Sequence, residues 1–302
     1  MSISPFEITL GPLYFHWRRD RLADFYARIA DEAPVDRVYL GEVVCGKREP
    51  LISATLAAAA ERLMGAGKTV VWSTLALPAT SRERRLCHEM AASGALVELN
   101  DVCSLERLTP GAGFVAGPLM NIYNEAAAAE LICCGCVRLC GNVELSLDAF
   151  AAIHAGCPSL ELELFAYGRL PLALSGRCYH ARLHGRHKDA CQFACEDDPD
   201  GLGVSTLEGE LLLAMNGVQT LSYGVQVADA SPARLREVGV RALRLSPQTS
   251  DMVAVAQVFR TFADGGIDGA ELRAALDSAQ PPGPLVNGYL AGAPGRRTAR
   301  IG

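Results

Sequence analysis

Apolar and polar positions follow two alternating rhythms along this chain. Short β-branched runs recur, and each is followed by a longer Ala/Leu/Arg/Glu-rich run with helical spacing. FEITLGPLYF (6–15) reads as a strand and RDRLADFYARIADE (19–32) as a helix. DRVYLGEVVC (36–45) is a second strand, and LISATLAAAAERLMGAG (51–67) is a helix closed by glycine. TVVWSTLAL (69–77) precedes the helix SRERRLCHEMAASG (81–94), with Ser81 expected at the N-cap. ALVELND (95–101) precedes a helical turn at SLERL. GFVAGPLMNIYN (113–124) is followed by the helix EAAAAELICCG (125–135), and CVRLC (136–140) by SLDAFAAIHAG (146–156). SLELELFAYG (159–168) is a seventh strand.

Strands and helices in strict alternation imply parallel pairing with right-handed crossovers. A TIM-like (β/α) barrel, irregular or incomplete, is favoured over an open doubly wound sheet. The strand count approaches eight, and TLGPLYFHW lacks the G-x-G-x-x-G of a dinucleotide loop. Beyond residue 168 the rhythm breaks at a cysteine-rich insertion and an acidic loop, EDDPDG (196–201), read as a solvated turn. Strand-like runs return at 210–222 and 240–248, each expected to lead into a helix. Residues 1–280 are expected to form one barrel domain that includes a cofactor-binding segment, 175–201. The Gly/Pro/Arg-rich stretch 281–302 reads as a loosely ordered tail with one docking segment.

Composition changes the picture mainly through charge and cysteine. Half the residues are apolar and the net charge is −6, which argues against nucleic acid or an anionic membrane as the main partner. No basic stretch followed by an apolar run opens the chain, and no run is long and apolar enough for a transmembrane segment, so a cytoplasmic location is expected. In a reducing compartment, eleven cysteines point to metal ligation or core packing rather than to disulfides.

SGRCYHARLHGRHKDACQFAC (175–195) carries Cys178, Cys191 and Cys195 in C-x12-C-x3-C spacing. A metal centre usually takes a fourth ligand. In a barrel, functional groups gather at the C-terminal ends of the strands. Cys45, at the end of strand two, and Cys178, just beyond strand seven, should open on that same face. Cys191 and Cys195 would share one face if their segment were helical. Zinc and a [4Fe–4S] cluster both suit this set, with His180, His184 and His187 close by for zinc. Arg177, Arg182, Arg186 and Lys188 would favour thiolate in either case.

GEVVCGKRE, ELELFAYGRLPLALSGRCYHAR, KDACQFAC and NGVQTLS resemble the signature blocks of the collagenase-like peptidase family. They are most similar to its UbiV branch of anaerobic ubiquinone-biosynthesis proteins. The resemblance implies a barrel fold and a [4Fe–4S] cluster on Cys45, Cys178, Cys191 and Cys195. It also implies a heterodimer with a homologous UbiU-like subunit and help from a lipid-binding accessory protein. The implied activity is hydroxylation of a ubiquinone precursor without molecular oxygen, with prephenate as oxygen source. Proteolysis is not expected, because cysteines that hold a cluster are not free to attack a peptide bond. A structural-zinc scaffold protein is the alternative from the residues alone.

Cys133, Cys134, Cys136 and Cys140 look like a second metal site but straddle a helix end and a strand, where core packing is expected. Cys87, Cys103 and Cys157 are expected core thiols. The three histidines read as a solvated polar face, although His180 could line a substrate site. Glu161 and Glu163 should share a strand face, paired with Arg138 or Arg169. Substrate contacts are expected from polar groups at strand ends: Arg169, Arg177, His180, Asn216, Gln219 and Arg244.

Overall fold

The computed structural model describes residues 5–299 and 301. Its centre is a closed barrel of eight parallel strands. Seven follow one another: β1 (Glu7–Leu10), β2 (Arg37–Leu40), β3 (Thr69–Ser73), β4 (Val97–Leu99), β5 (Phe114–Ala116), β6 (Cys136–Cys140) and the first half of β7 (Glu161–Leu174). Between them lie α1 (Arg19–Glu32), α2 (Glu49–Gly65), α3 (Ser81–Ala91), a 3₁₀ turn (Val102–Arg107), α4 (Glu125–Cys133) and α5 (Leu147–Gly156). Next come α6 (Tyr179–Leu183), β8 (Leu202–Ser205), β9 (Leu211–Asn216), β10 (Gln219–Val227) and α7 (Pro232–Glu237). The eighth barrel strand is β11 (Val240–Leu245). It pairs in parallel with both β7 and β1, so the ring is complete. The chain continues through α8 (Met252–Ala263), α9 (Gly269–Ser278) and β12 (Leu285–Val286).

The helices form where the pattern places their apolar stripe. α1 buries Leu22, Tyr26, Ile29 and Ala30 against the strands. The N-cap of α3 is Thr80, one residue before the expected Ser81. Its hydroxyl accepts the Glu83 N–H while the Glu83 carboxylate accepts the Thr80 N–H, a reciprocal pair that needs the glutamate three positions on, where it stands from Thr80 but not from Ser81.

The run 210–222 is not a barrel strand. It splits at Gly217–Val218 into the antiparallel hairpin β9–β10, with Asn216 opposite Gln219. Gly217 has φ +70°, so a two-residue turn with glycine first is available at that point. β10 runs antiparallel to the second half of β7, from Val227 opposite Tyr167 to Gln219 opposite Leu174. β7 therefore outruns its barrel neighbours, and with β10, β9 and β8 it raises a ribbon above the C-terminal mouth.

The tail is more ordered than its composition suggests. β12 pairs with β10, and the buried Asn287 donates to Asp229 Oδ1 (2.8 Å) and to the Ala299 carbonyl (2.8 Å). Backbone pairing and one amide do this work, and neither leaves an apolar periodicity to read. Residues 300 and 302 lie outside the described residues. Among the described residues no helix is long and apolar enough to cross a membrane.

The barrel interior is unusually polar. Arg244 on β11 reaches across to Glu98 on β4 (Nη1–Oε2 2.5 Å) and bonds Glu163 on β7 through Nη2 (2.8 Å) and Nε (3.1 Å). Tyr39 and Thr9 also donate to Glu163. At the opposite mouth, Glu7 joins Arg37 and Arg138, and Arg138 joins Glu161. The expected pairing of Glu161 with Arg138 is thus present, while Glu163 takes Arg244.

Candidate metal centre at the barrel mouth

Cys45 stands five residues past the end of β2. Its loop is turned by Glu42, whose Oε1 accepts the N–H groups of Val44 (2.8 Å) and Cys45 (2.9 Å). Cys178 caps the N-terminus of α6. Its Sγ accepts the Ala181 N–H (3.4 Å) and donates to the Gly217 carbonyl (3.2 Å). Cys191 ends a 3₁₀ turn, with its carbonyl held by Arg186 (3.2 Å). Cys195 lies in a second 3₁₀ turn, with its carbonyl held by Asn216 Nδ2 (2.9 Å). The segment holding Cys191 and Cys195 is not helical throughout, so the condition for a shared helix face is not met. Gln192 (φ 50°) and Phe193 (φ 51°) are left-handed, and this reversal, not a helix face, turns the two cysteines toward one place.

All four cysteines line a single small cavity between the β2 loop, the insertion and the β9–β10 turn. Cys178 and Cys195 are buried, Cys45 and Cys191 half-buried. Phe193 and Ala194 supply apolar wall, and Arg48 is the buried cation. Arg48 donates to Asn216 Oδ1 (2.7 Å) and lies 4.0 Å from Glu42. Burial pushes the Cys45, Cys178 and Cys195 thiols up, and Arg48 pulls each the other way. Burial would lower the Arg48 guanidinium, but facing Cys195, Glu42 and Cys45 leaves it raised. His16, 5.6 Å from the Phe193 ring, is held down at about 4 by burial and by Arg48.

Four thiolates on one zinc ion, at about 2.3 Å each, would stand only about 3.8 Å apart. Among the described residues no three cysteine sulfurs lie within 4.8 Å of one another; the trio that does is His180, His184 and Asp198. The cavity thus gathers four sulfur donors at a spacing wider than a single ion uses.

The remaining sequence candidates scatter. His180 is fully buried, not on a solvated face, and contributes to the cavity wall. Asn216 and Gln219 are buried supports, Gln219 donating to the Tyr14 carbonyl (2.6 Å). Arg177 is exposed beside the cavity. Arg169 is buried among carbonyls, bonding Ser222, Tyr223 and Pro282, and so ties the ribbon to the tail. Arg244 lies inside the barrel. The acidic loop is docked, not a free turn: the Pro199 carbonyl accepts the Trp17 indole N–H (2.7 Å) and Asp200 accepts the Thr249 N–H (2.8 Å). Cys136, Cys140, Cys87 and Cys157 are buried as expected, Cys103 is half-buried, and Cys133 and Cys134 are exposed at the end of α4.

Sequence reasoning missed an open cleft on the β3–β6 side of the same mouth. Asn100, Asp101, Asn121, Asn142 and Glu144 face apolar Met120 and Leu172 across it. The buried Asn100 Oδ1 has no hydrogen-bond partner. The strand-end rule that selected Arg169 and Arg244 would have found Asn100 and Asn142 had it been applied to β4 and β6.

The family model described as Peptidase family U32 matches residues 20–300. Among curated proteins, the chain is 27% identical over 151 residues to tRNA hydroxylation protein P of Helicobacter pylori (strain J99). That match takes in 47% of this chain and 36% of that protein, so the chain spans about a third of that relative. Among solved structures, the U32 peptidase Mk0906 aligns over 82% of this chain and 95% of its own, at 12% identity and a TM-score of 0.43.

Proposed function

The chain belongs to peptidase family U32, and from that premise we propose that it is an iron–sulfur subunit of an oxygen-independent hydroxylation system. In this reading Cys45, Cys178, Cys191 and Cys195 hold a [4Fe–4S] cluster. The observation that carries it is the single cavity into which the fold brings these four residues, wider than a one-ion site. When bound, such a cluster supplies one-electron transfer at a potential set by burial, net charge and hydrogen bonds to sulfur. This chain's part is to set those terms. Arg48 offsets thiolate charge, the Ala181 N–H bonds Cys178 Sγ, and Phe193 keeps water from the sulfurs. The Asn-rich cleft beside the ribbon is where a substrate ring would bind.

The finer assignment follows the UbiV branch. The substrate is a ubiquinone precursor, the partner a homologous UbiU-like subunit, a lipid-binding protein assists, and prephenate is the oxygen source. The signature blocks around the cysteines support this, as does a relative named for a hydroxylation. That relative's name also favours a second reading in which the hydroxylated substrate is a tRNA. The cationic lip of Arg177, Arg182, Arg186 and Lys188 beside the cavity suits it, while the net charge of −6 does not.

Iron and sulfide analysis of protein purified without oxygen is the test. A brown protein with about four iron and four sulfide per chain is expected, and Cys191→Ala should lose most of it. A colourless protein holding one zinc sinks the cluster. Peptide cleavage by iron-free protein would restore the peptidase reading. In cells lacking the protein, loss of ubiquinone during oxygen-free growth supports the first substrate. Unchanged ubiquinone with an unhydroxylated tRNA supports the second.

A further inference from the structure

His180, His184 and Asp198 stand together beside the cysteine cavity. We propose that these three side chains form a second metal site, for one divalent ion of the zinc or ferrous class. His180 and His184 are four residues apart on α6 and its C-terminal cap, with rings stacked at 5.0 Å and 21°. Their Nε2 atoms lie 3.1 and 3.6 Å from one oxygen, Asp198 Oδ2. All three ligand atoms lie within 4.8 Å of one another. Metal–ligand bonds of about 2.0–2.2 Å put donors around a tetrahedral ion about 3.3–3.6 Å apart, close to the 3.1 and 3.6 Å between each imidazole and the carboxylate.

Two unsatisfied features point to a bound cation. Asp198 Oδ2 is enclosed and has no hydrogen-bond donor, although an imidazole nitrogen lies 3.1 Å away. The second is His180, whose Nδ1 faces the Met215 carbonyl at 3.0 Å and Nε2 the Ala194 carbonyl at 3.3 Å. A neutral ring has one N–H, so one of its lone pairs faces an oxygen. An ion on Nε2 resolves both features at once. It leaves the proton on Nδ1 to donate to Met215, the outer bond that orients metal-bound histidines. A second proton on the ring would also satisfy it, and metal uptake separates the two.

The carboxylate is positioned through its backbone. The Asp198 carbonyl accepts Asn216 Nδ2 (2.8 Å) and the Gly201 N–H (2.9 Å). Two imidazoles and a carboxylate suit zinc or ferrous iron and leave positions open to water or substrate. His184 is 34% exposed, which gives the ion a way in.

The full chain, purified without oxygen, is titrated with zinc against a competing chelator, and bound metals are counted. One zinc per chain beyond the iron is expected in the natural protein. His184→Gln and Asp198→Asn should each weaken it at least about tenfold, with iron, cluster absorption and melting temperature unchanged. A natural protein that takes up no such zinc overturns the proposal. So does a His184→Gln variant that binds it equally well. A preparation without iron but with His184-dependent zinc would refute the cluster and leave this site standing.

Discussion

Gly217→Ala should empty the cysteine cavity while leaving the barrel folded. Gly217 sits at the hairpin turn with φ +70°, a left-handed conformation that costs other residues roughly 1–2 kcal/mol. An added Cβ there would also run into Arg48 Nη2, with Cζ only 3.2 Å away. The guanidinium would have to leave, breaking its 2.7 Å bond to Asn216. A hydrogen bond to a charged group is worth about 1.5–3 kcal/mol, so the two effects together come to about 2.5–5 kcal/mol. Unfolding entropy for 302 residues converts roughly 0.6 kcal/mol into one degree, and the expected fall in melting temperature is about 4–8 °C. Gly209→Ala is the control. Gly209 has φ +87° at the other hairpin turn, with nothing within 4 Å of an added Cβ. It carries the backbone cost alone, about 2–3 °C. Thermal melts and iron content of the two variants are compared. Gly217→Ala should lose most of its iron and Gly209→Ala none. Equal melting shifts with iron retained in both would refute the claim that Gly217 is kept small to seat Arg48.

Asn216→Ala removes the acceptor of Arg48 and the donor to both the Cys195 and Asp198 carbonyls, so metal counting should show iron and zinc lost together, unlike His184→Gln. Glu163→Gln tests the barrel interior. Burial raises the Glu163 carboxyl, but Arg244 and Arg138 more than offset this and hold it at about 2. Its stabilisation is therefore complete above the ordinary carboxylate value of 4.5 and is lost as pH falls toward 2. At neutral pH the variant should be less stable by about 3–5 kcal/mol in urea, with a flatter decline on acidification between those values. Asn142→Ala, in the open cleft, should abolish hydroxylation with iron content unchanged, and loss of iron instead would place that cleft in the metal site's support.

How much of this was legible depends on which force acts where. Seven barrel strands were readable because each carries an apolar run, and five of them, β1, β2, β3, β5 and β6, are followed by an α-helix before the next strand. The eighth was readable as a strand, 240–248, but the run 210–222 misled. Its apolar residues serve a two-sided ribbon, and the signal that splits it is one glycine between Asn216 and Gln219. The four cysteines were legible because strand order places loop ends on one face however far apart they lie in sequence. Their local geometry was not. An i, i+4 spacing suggests a helix, and two left-handed residues, Gln192 and Phe193, override it for a cost that only tertiary contacts repay. Of the three histidines read as a solvated face, His184 and His187 are exposed, and His180 was misjudged for the same reason. His180 is buried by the ribbon's Met215, and nothing within residues 175–201 announces that neighbour.

The ribbon also explains why the site is built away from the barrel axis. The axis is already filled by Arg244, Glu98 and Glu163, a set in which each charge has its partner. The proposed centre with four thiolates has a different need. Burial pushes the Cys45, Cys178 and Cys195 thiols toward their neutral forms, and Glu42 adds negative charge beside Arg48. Arg48, Lys47 and Lys188 are the cations at this cavity, and a metal bound there would add positive charge and displace protons as it binds. In the proposed cluster site, proton loss and metal binding therefore go together. That requires a seat whose backbone does not depend on the metal. Asn216, Gly217 and the Ala181 N–H, all fixed by the hairpin and α6, provide it.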